Sequence, residues 1–427
     1  MSSFYYQHDE LYCEGLSLLE IASKVATPCF VYSKHDLEEN CRVFRQAFDQ
    51  VGITTHLRYA VKAASNLALL QIIFKAGYGA DVVSHGEIIR ALTAGLHAEK
   101  IVFSGVGKTV SEIEYALKVG VGLFNVESLH ELETIAKIAE ALDVIAPVCL
   151  RINPNIDANT HKNITTGTNS NKFGLADSEF HQAVKRLKSN RNLKYCGLSC
   201  HIGSQIMQLA PITAAAKHME KCYQHLAKQG LIGCFIDMGG GIGVPYQDSD
   251  QRCFSLKEYA DELDRIIGPL GVDLIVEPGR VISASVANLL TQVIYCKESN
   301  ERRFVICDAG MTELIRPGLY DAYHRIQVVK KKTCQGGEDY NRDVAKTVDI
   351  VGPVCESTDW LGKARNLGHV GAGDLLVIDD SGAYCASMAS NYNTRPAVAE
   401  VLVDGSCYTI IRKPQALESL WQNERML

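Results

Sequence analysis

HLRYAVKAASNLALLQIIFKA, residues 56–76, changes its period half-way along. His56–Val61 reads as an interior strand, while Leu67–Ala76 carries apolar residues at a spacing that packs one face of a helix. Between them stands Lys62, a strongly solvated side chain at the end of what reads as a buried strand. The same change of period recurs along the chain. Strand-like runs read GADVVS (79–84), KIVFSG (100–105), GLFNVES (122–128), APVCLRI (146–152), YCGLSCH (195–201), CFIDMGGG (234–241) and DLIVEPG (273–279). Helical spacing fills Glu87–Ala94, Ser111–Val119, His130–Leu142, Asp177–Leu187, Ile212–Gln229 and Leu256–Ile267.

Strands alternating with helices pair in parallel through right-handed crossovers. Eight strand runs predict an α/β fold, a (β/α)8 TIM-like barrel, over residues 36–283. An open doubly wound sheet is the competing reading, and it normally has fewer strands. Beyond residue 283 the helical spacing stops. ANLLTQVIYC, RRFVICDAG, KTVDIVGPVC, DLLVIDDSG and AVAEVLVDGSCYTIIR are β-rich runs joined by turns. They predict a separate all-β domain over 284–427, a β-sandwich or Greek-key-like barrel. PCFVYS (28–33) is one more short strand, so residues 1–35 are expected to join that domain. Asn153–Gly174, after the fifth strand, is long, polar and aperiodic, which reads as a functional lid or a disordered loop.

The 427 residues are 47% hydrophobic and 22% charged, enough for large cores. A net charge of −6 without a basic stripe argues against nucleic acid as a partner. The short basic run Lys330–Lys332 reads as a solvated hairpin tip. Fifteen cysteines without a Cys-x-x-Cys pair argue against zinc and dithiol sites, and no metal is expected. Free thiols in a reducing compartment fit better. The N-terminus, MSSFYYQHDE, has no charged and apolar leader. No apolar run nears the roughly 20 residues of a spanning helix. A cytoplasmic protein without membrane partners is expected.

Reactive residues gather at the C-terminal ends of the predicted strands, the face where barrels place their sites. Lys62 ends the first, His201 the sixth, Gly239–Gly241 the seventh, and Glu277 and Arg280 flank the end of the eighth. Each alone has a plainer reading: a salt-bridged lysine, a packed histidine, a tight turn, an ion-pair glutamate. The GGG run also lacks the G-x-G-x-x-G spacing of a dinucleotide site. Together they describe something specific. A partly desolvated lysine forms a Schiff base, glycine N–H groups approach a phosphate, a flat ring gives a platform, and a buried acid can protonate a pyridine. Those are the needs of pyridoxal 5'-phosphate.

The motifs YAVKAASN (59–66), GADVVSHGE (79–87), HIGSQ (201–205), GGGIG (239–243), EPGR (277–280), DAGMTELIRPGLYDAYH (308–324), GPVCESTDWLGK (352–363) and GAYCASMASNYN (382–393) extend the pattern nearly end to end. In them the chain resembles the fold-type III pyridoxal phosphate decarboxylases, and within these the diaminopimelate decarboxylases. The resemblance implies a carboxy-lyase that converts meso-2,6-diaminopimelate to L-lysine and CO2, the last step of lysine biosynthesis. It implies that Lys62 carries the cofactor as an internal aldimine, that His201 stacks on the ring and that Glu277 pairs with the pyridine nitrogen. Ser204, Gly240, Gly241 and the loop Glu277, Pro278, Gly279, Arg280 would surround the phosphate. Tyr384 would touch both cofactor and substrate, and Asp81 and Glu87 would support the lysine and His201. Arg280, Arg316 and Tyr320 would clamp the distal carboxylate of the substrate, Glu356 its distal ammonium, and Cys355 would protonate the α-carbon. Cys355 and Glu356 would come from the other subunit of a homodimer. Ala64 and His85 depart from the family pattern at positions without a catalytic role.

A substrate that loses its α-carboxylate must be oriented from its far end, and a planar guanidinium binds a carboxylate at two points. An ornithine or lysine decarboxylase would leave the arginine pair unmatched. Alanine racemase has the same plan but needs a second base on the opposite ring face. A non-catalytic homologue should have lost Lys62 or Cys355, and both are present.

Overall fold

The strands of the barrel are short and mostly buried, as parallel strands covered on both sides are. In the computed structural model, which describes residues 2–156, 172–247, 249–299, 302–332 and 347–427, they are β1 (Thr55–Ala60), β2 (Gly79–Val82), β3 (Ile101–Phe103), β4 (Leu123–Val126), β5 (Ala146–Arg151), β6 (Leu193–Ser199), β7 (Phe235–Asp237) and β8 (Asp273–Val276). All pair in parallel, and β8 returns to β1 with Val276 opposite Leu57, so the sheet closes. The expected (β/α)8 barrel is thus the observed one. The open sheet is ruled out by that last pairing.

The helices begin where serine or threonine can accept a backbone N–H. Ser84, Ser128, Thr109 and Ser255 each cap a helix this way, and the last two form full capping boxes with Glu112 and Glu258. After β2 and β4 these caps put helix N-termini at the C-terminal mouth. The barrel unit comprises Asn40–Val244 and Gln251–Val281.

The second unit comprises Met1–Glu39, Pro245–Asp250 and Ile282–Leu427. Its main sheet runs Trp360–Arg365, Val348–Val351, Arg302–Cys307, Ala287–Ser299, Cys29–Ser33, Ala399–Asp404, Cys407–Arg412. Leu375–Ile378 branches from Ala287–Ser299 and pairs in turn with Ile326–Val328. The PCFVYS strand lies in the middle of this sheet. The sheet is mixed: Cys29–Ser33 runs parallel to Ala399–Asp404, and Arg302–Cys307 to Val348–Val351. The unit is also not purely β, since Leu18–Val25 is a helix packed through Leu18 and Ile21.

Residues 157–171 of the expected lid lie outside the described residues. Its flanks are tied together, because the Leu175 N–H donates to the Arg151 carbonyl at 2.9 Å. Lys330–Lys332 is exposed, and residues 333–346 that follow it lie outside the described residues. Lys331 Nζ stands 3.9 Å from the Tyr6 ring centroid and Lys332 pairs with Asp374 at 2.7 Å. No described helix is long and apolar enough to cross a membrane.

Candidate active site

Strand β1 ends at Ala60, and Val61–Ala63 forms one 3-10 turn. Lys62 therefore stands just past the strand, at the mouth, and not within it. Its Nζ lies 3.0 Å from Asp81 Oδ2 on β2; the lysine side chain is 38% exposed and the aspartate fully buried. Asp81 Oδ1 is buried with no hydrogen-bond partner among the described residues. Glu87, in the first turn of the Ser84-capped helix, accepts the Val83 N–H at 2.8 Å. Burial raises its pKa to about 7, with Asp81 adding to the rise and Lys62 opposing it.

Glu277 follows β8 directly, and its N–H donates to the Gly239 carbonyl at 2.7 Å. Its carboxyl is buried and hydrogen-bonded to that of Asp237 on β7. Asp237 accepts the Gly239 N–H and the Asn125 amide, each at 2.9 Å. Burial, then Asp237 and Asp81, push the Glu277 carboxyl well above the usual carboxylate range, against the pull of Lys62. Burial raises the Asp237 carboxyl as well, but its bonds to Asn125, Glu277 and Gly239 pull it back, so the proton shared by the pair favours Glu277. Glu277 Oε1 has no hydrogen-bond partner among the described residues.

The glycine run wraps the space between these acids. A Cβ on Gly240 would stand 2.1 Å from the Glu277 carbonyl oxygen, and one on Gly241 2.3 Å from that of Gly203. Only a bare backbone passes here, and Gly241 also has φ +108°. The Gly240 N–H donates to His201 Nδ1 at 3.2 Å, which requires a lone pair on that nitrogen. Burial first, then Lys62 and Arg151, hold the His201 pKa well below its ordinary value, so the ring is neutral. Arg280 Nη2 donates to Ser204 Oγ at 3.0 Å. The Pro278 carbonyl accepts the Ala60 N–H at 3.1 Å and ties this loop, including the buried Gly279, to β1.

Thus Lys62, Asp81, His201, Ser204, Gly240, Gly241, Glu277, Pro278, Gly279 and Arg280 meet at one barrel mouth. Behind them lie buried charges that no motif marks. Lys108, 1% exposed in its side chain, pairs with Glu131 at 2.7 Å, and Arg151 pairs with Glu127. Asp237 and Asn125 are unmarked as well. Their only signal is a polar residue inside an apolar strand run.

The other expected residues belong to the second unit. Arg316 opens the short helix Arg316–Tyr320 and is 5% exposed, while Tyr320, at its end, is partly exposed. Tyr384 takes a left-handed φ of 57°. Cys355 and Glu356 are exposed on a turn held from within by Asp359, whose oxygens accept the Met311 and Val354 N–H groups at 2.6 Å each. Asn393 Oδ1 accepts the Cys355 N–H at 3.2 Å, and Thr358 Oγ1 donates to Glu356 at 2.9 Å.

Residues 34–284 match the model of the pyridoxal-dependent decarboxylase family, pyridoxal binding domain. Over 426 residues the chain is 44% identical to diaminopimelate decarboxylase of Zymomonas mobilis, covering 100% of this chain and 99% of that one. The chain belongs to the diaminopimelate decarboxylase family of pyridoxal-dependent decarboxylases. Solved members of the family include diaminopimelate decarboxylase from Helicobacter pylori complexed with L-lysine, at 40% identity and TM-score 0.89 over 95% of this chain and 98% of that one. Another is the enzyme from M. jannaschii, at 33% identity and TM-score 0.92 over 100% and 98%. The cofactor of the family is pyridoxal phosphate, and the barrel mouth fits it. The mouth offers an amine for the aldehyde, a Cβ-free cradle for the phosphate, and two buried carboxyl oxygens without a hydrogen-bond partner among the described residues.

Proposed function

We propose that the chain decarboxylates meso-2,6-diaminopimelate to L-lysine and CO2 in the cytoplasm, the last step of lysine biosynthesis. The observation that carries this reading is the barrel-mouth group Lys62, Asp81, His201 and Glu277 in a chain whose full-length relatives are diaminopimelate decarboxylases. Pyridoxal phosphate, when bound, supplies the electron sink for the bond that breaks.

Lys62 would hold the cofactor through its aldehyde. Asp81 keeps the Lys62 amine close while it is charged. His201, neutral, offers a flat face that carries no competing charge. Glu277 would hold the pyridine nitrogen through its unpartnered oxygen, with Asp237 bonded behind it to fix the carboxyl in place. Gly240, Gly241, Ser204 and Arg280 receive the phosphate, and Tyr384 touches cofactor and substrate. Arg316, Arg280 and Tyr320 fix the distal carboxylate, and Glu356 the distal ammonium. The Cys355 thiol gives its proton to the α-carbon after CO2 leaves.

Cys355 and Glu356 act in the site of the other subunit of a homodimer. Their exposure in the single chain supports this, as residues that complete a neighbour's site stand outside their own fold. The described cysteines are all free, which supports the cytoplasmic location. The test is CO2 release from meso-diaminopimelate with added cofactor, followed by chiral identification of the product. L-lysine as sole product is expected. Release from ornithine or lysine, and none from diaminopimelate, would overturn the reading.

A further inference from the structure

We propose that His324 and Tyr246 are positioning residues that hold the Arg316 guanidinium ready for a carboxylate without neutralising it. The inference rests on the reading of Arg316 as the distal-carboxylate clamp.

Arg316 Nη1 lies 2.7 Å from His324 Nε2, and His324 Nδ1 lies 2.8 Å from the Asp379 backbone carbonyl oxygen. A carbonyl only accepts, so Nδ1 carries the hydrogen. A guanidinium only donates, so Nε2 must present a lone pair. The two contacts together select one neutral tautomer of a fully buried ring. The Asp379 carboxylate is turned elsewhere, accepting from Asn288 at 3.0 Å and Gln327 at 2.6 Å.

Tyr246 fixes what a single hydrogen bond leaves loose. Its ring centroid lies 4.4 Å from Arg316 Cζ, and its ring meets that of His324 edge to face at 5.2 Å and 62°. Stacking on Tyr246 sets the plane of the guanidinium, and the bond to His324 sets its rotation in that plane. Among the described residues Arg316 forms no ion pair; the buried Asp380 carboxyl, raised to about 6 by burial, feels the charges of Arg325 and then Arg316 without pairing with Arg316. A carboxylate anchor would form a neutral pair and compete with the incoming substrate. A neutral imidazole and an aromatic face do not pair off the charge, and among the described residues one of five N–H donors is used.

The test compares holoenzymes carrying His324→Asn, His324→Gln, Tyr246→Leu and Arg316→Met. The asparagine can keep the bond to the Asp379 carbonyl but falls short of Arg316. The glutamine oxygen reaches the place of Nε2. Calorimetric Kd is measured for L-lysine, which has a carboxylate, and for cadaverine, which has none, together with KM and kcat for meso-diaminopimelate. His324→Asn and Tyr246→Leu should each weaken L-lysine and raise KM about 10-fold, with cadaverine unchanged and kcat within about 3-fold. His324→Gln should restore L-lysine to within about 3-fold. Equal loss for cadaverine and L-lysine in His324→Asn, or no rescue by glutamine, would overturn the positioning role. L-lysine binding unmoved by His324→Asn and Tyr246→Leu but lost in Arg316→Met would overturn it while sparing the clamp. Unmoved binding in Arg316→Met would overturn the clamp itself, and with it this inference.

Discussion

Lys62→Met in the cofactor-free protein isolates the electrostatics of the site from its chemistry. The substitution keeps most of the side-chain length and removes the cation 3.0 Å from Asp81. Asp81 is fully buried, and its other oxygen already lacks a hydrogen-bond partner among the described residues. Breaking a buried ion pair by deleting one member costs about 3–5 kcal/mol. Here the lysine side chain is 38% exposed, so water screens part of the pair, and about 2 kcal/mol is expected. For a unit the size of this barrel that lowers Tm by roughly 4–8 °C. Asp81→Asn added to Lys62→Met removes the stranded charge and should return most of the loss. The assay is thermal unfolding of the apo proteins at neutral pH, followed by circular dichroism. A Lys62→Met protein as stable as the parent would refute the reasoning. So would a double variant no more stable than Lys62→Met alone.

Two further outcomes can be checked. Burial raises Glu87 to about 7, above its unfolded value. Its stabilising share is complete below the unfolded pKa and fades as pH rises through about 7. Glu87→Gln, whose amide oxygen can still accept the Val83 N–H, should leave Tm unchanged near about pH 5 and raise it by a few degrees above about pH 8; equal effects at both would contradict the cause given. Mixing inactive Lys62→Ala and Cys355→Ala proteins should recover about a quarter of parental activity if each site is built from two subunits. No recovery after full subunit exchange would count against the shared site.

The barrel was legible because each strand run is mostly apolar and each helix apolar on one face, so the change of period at residues 56–76 repeats along the chain. Boundaries were less so. The runs HLRYAVKA and CFIDMGGG continue past the last paired residues, Ala60 and Asp237, because apolar and glycine residues of the mouth loops mimic the strand they follow. That slip explains why Lys62 reads as a strand residue when it stands on a turn. The motif residues of the mouth were legible through the family resemblance. Asp237, Asn125, Lys108 and Arg151 were not, since a single polar residue in a strand shows no partner until the sheet closes. Asp237 meets Asn125 from three strands away in chain order. Tyr246 and His324 were hidden for the same reason: 78 residues apart, they are brought together by the second unit's fold around Arg316.

In the proposed function Lys62 is the residue that binds the cofactor covalently. Borohydride reduction of the holoenzyme, proteolysis and peptide mass mapping test this directly. A pyridoxyl group on Lys62, in the peptide carrying YAVKAASN, is the expected result. A group fixed on another lysine, or a cofactor that washes away after reduction, would contradict it.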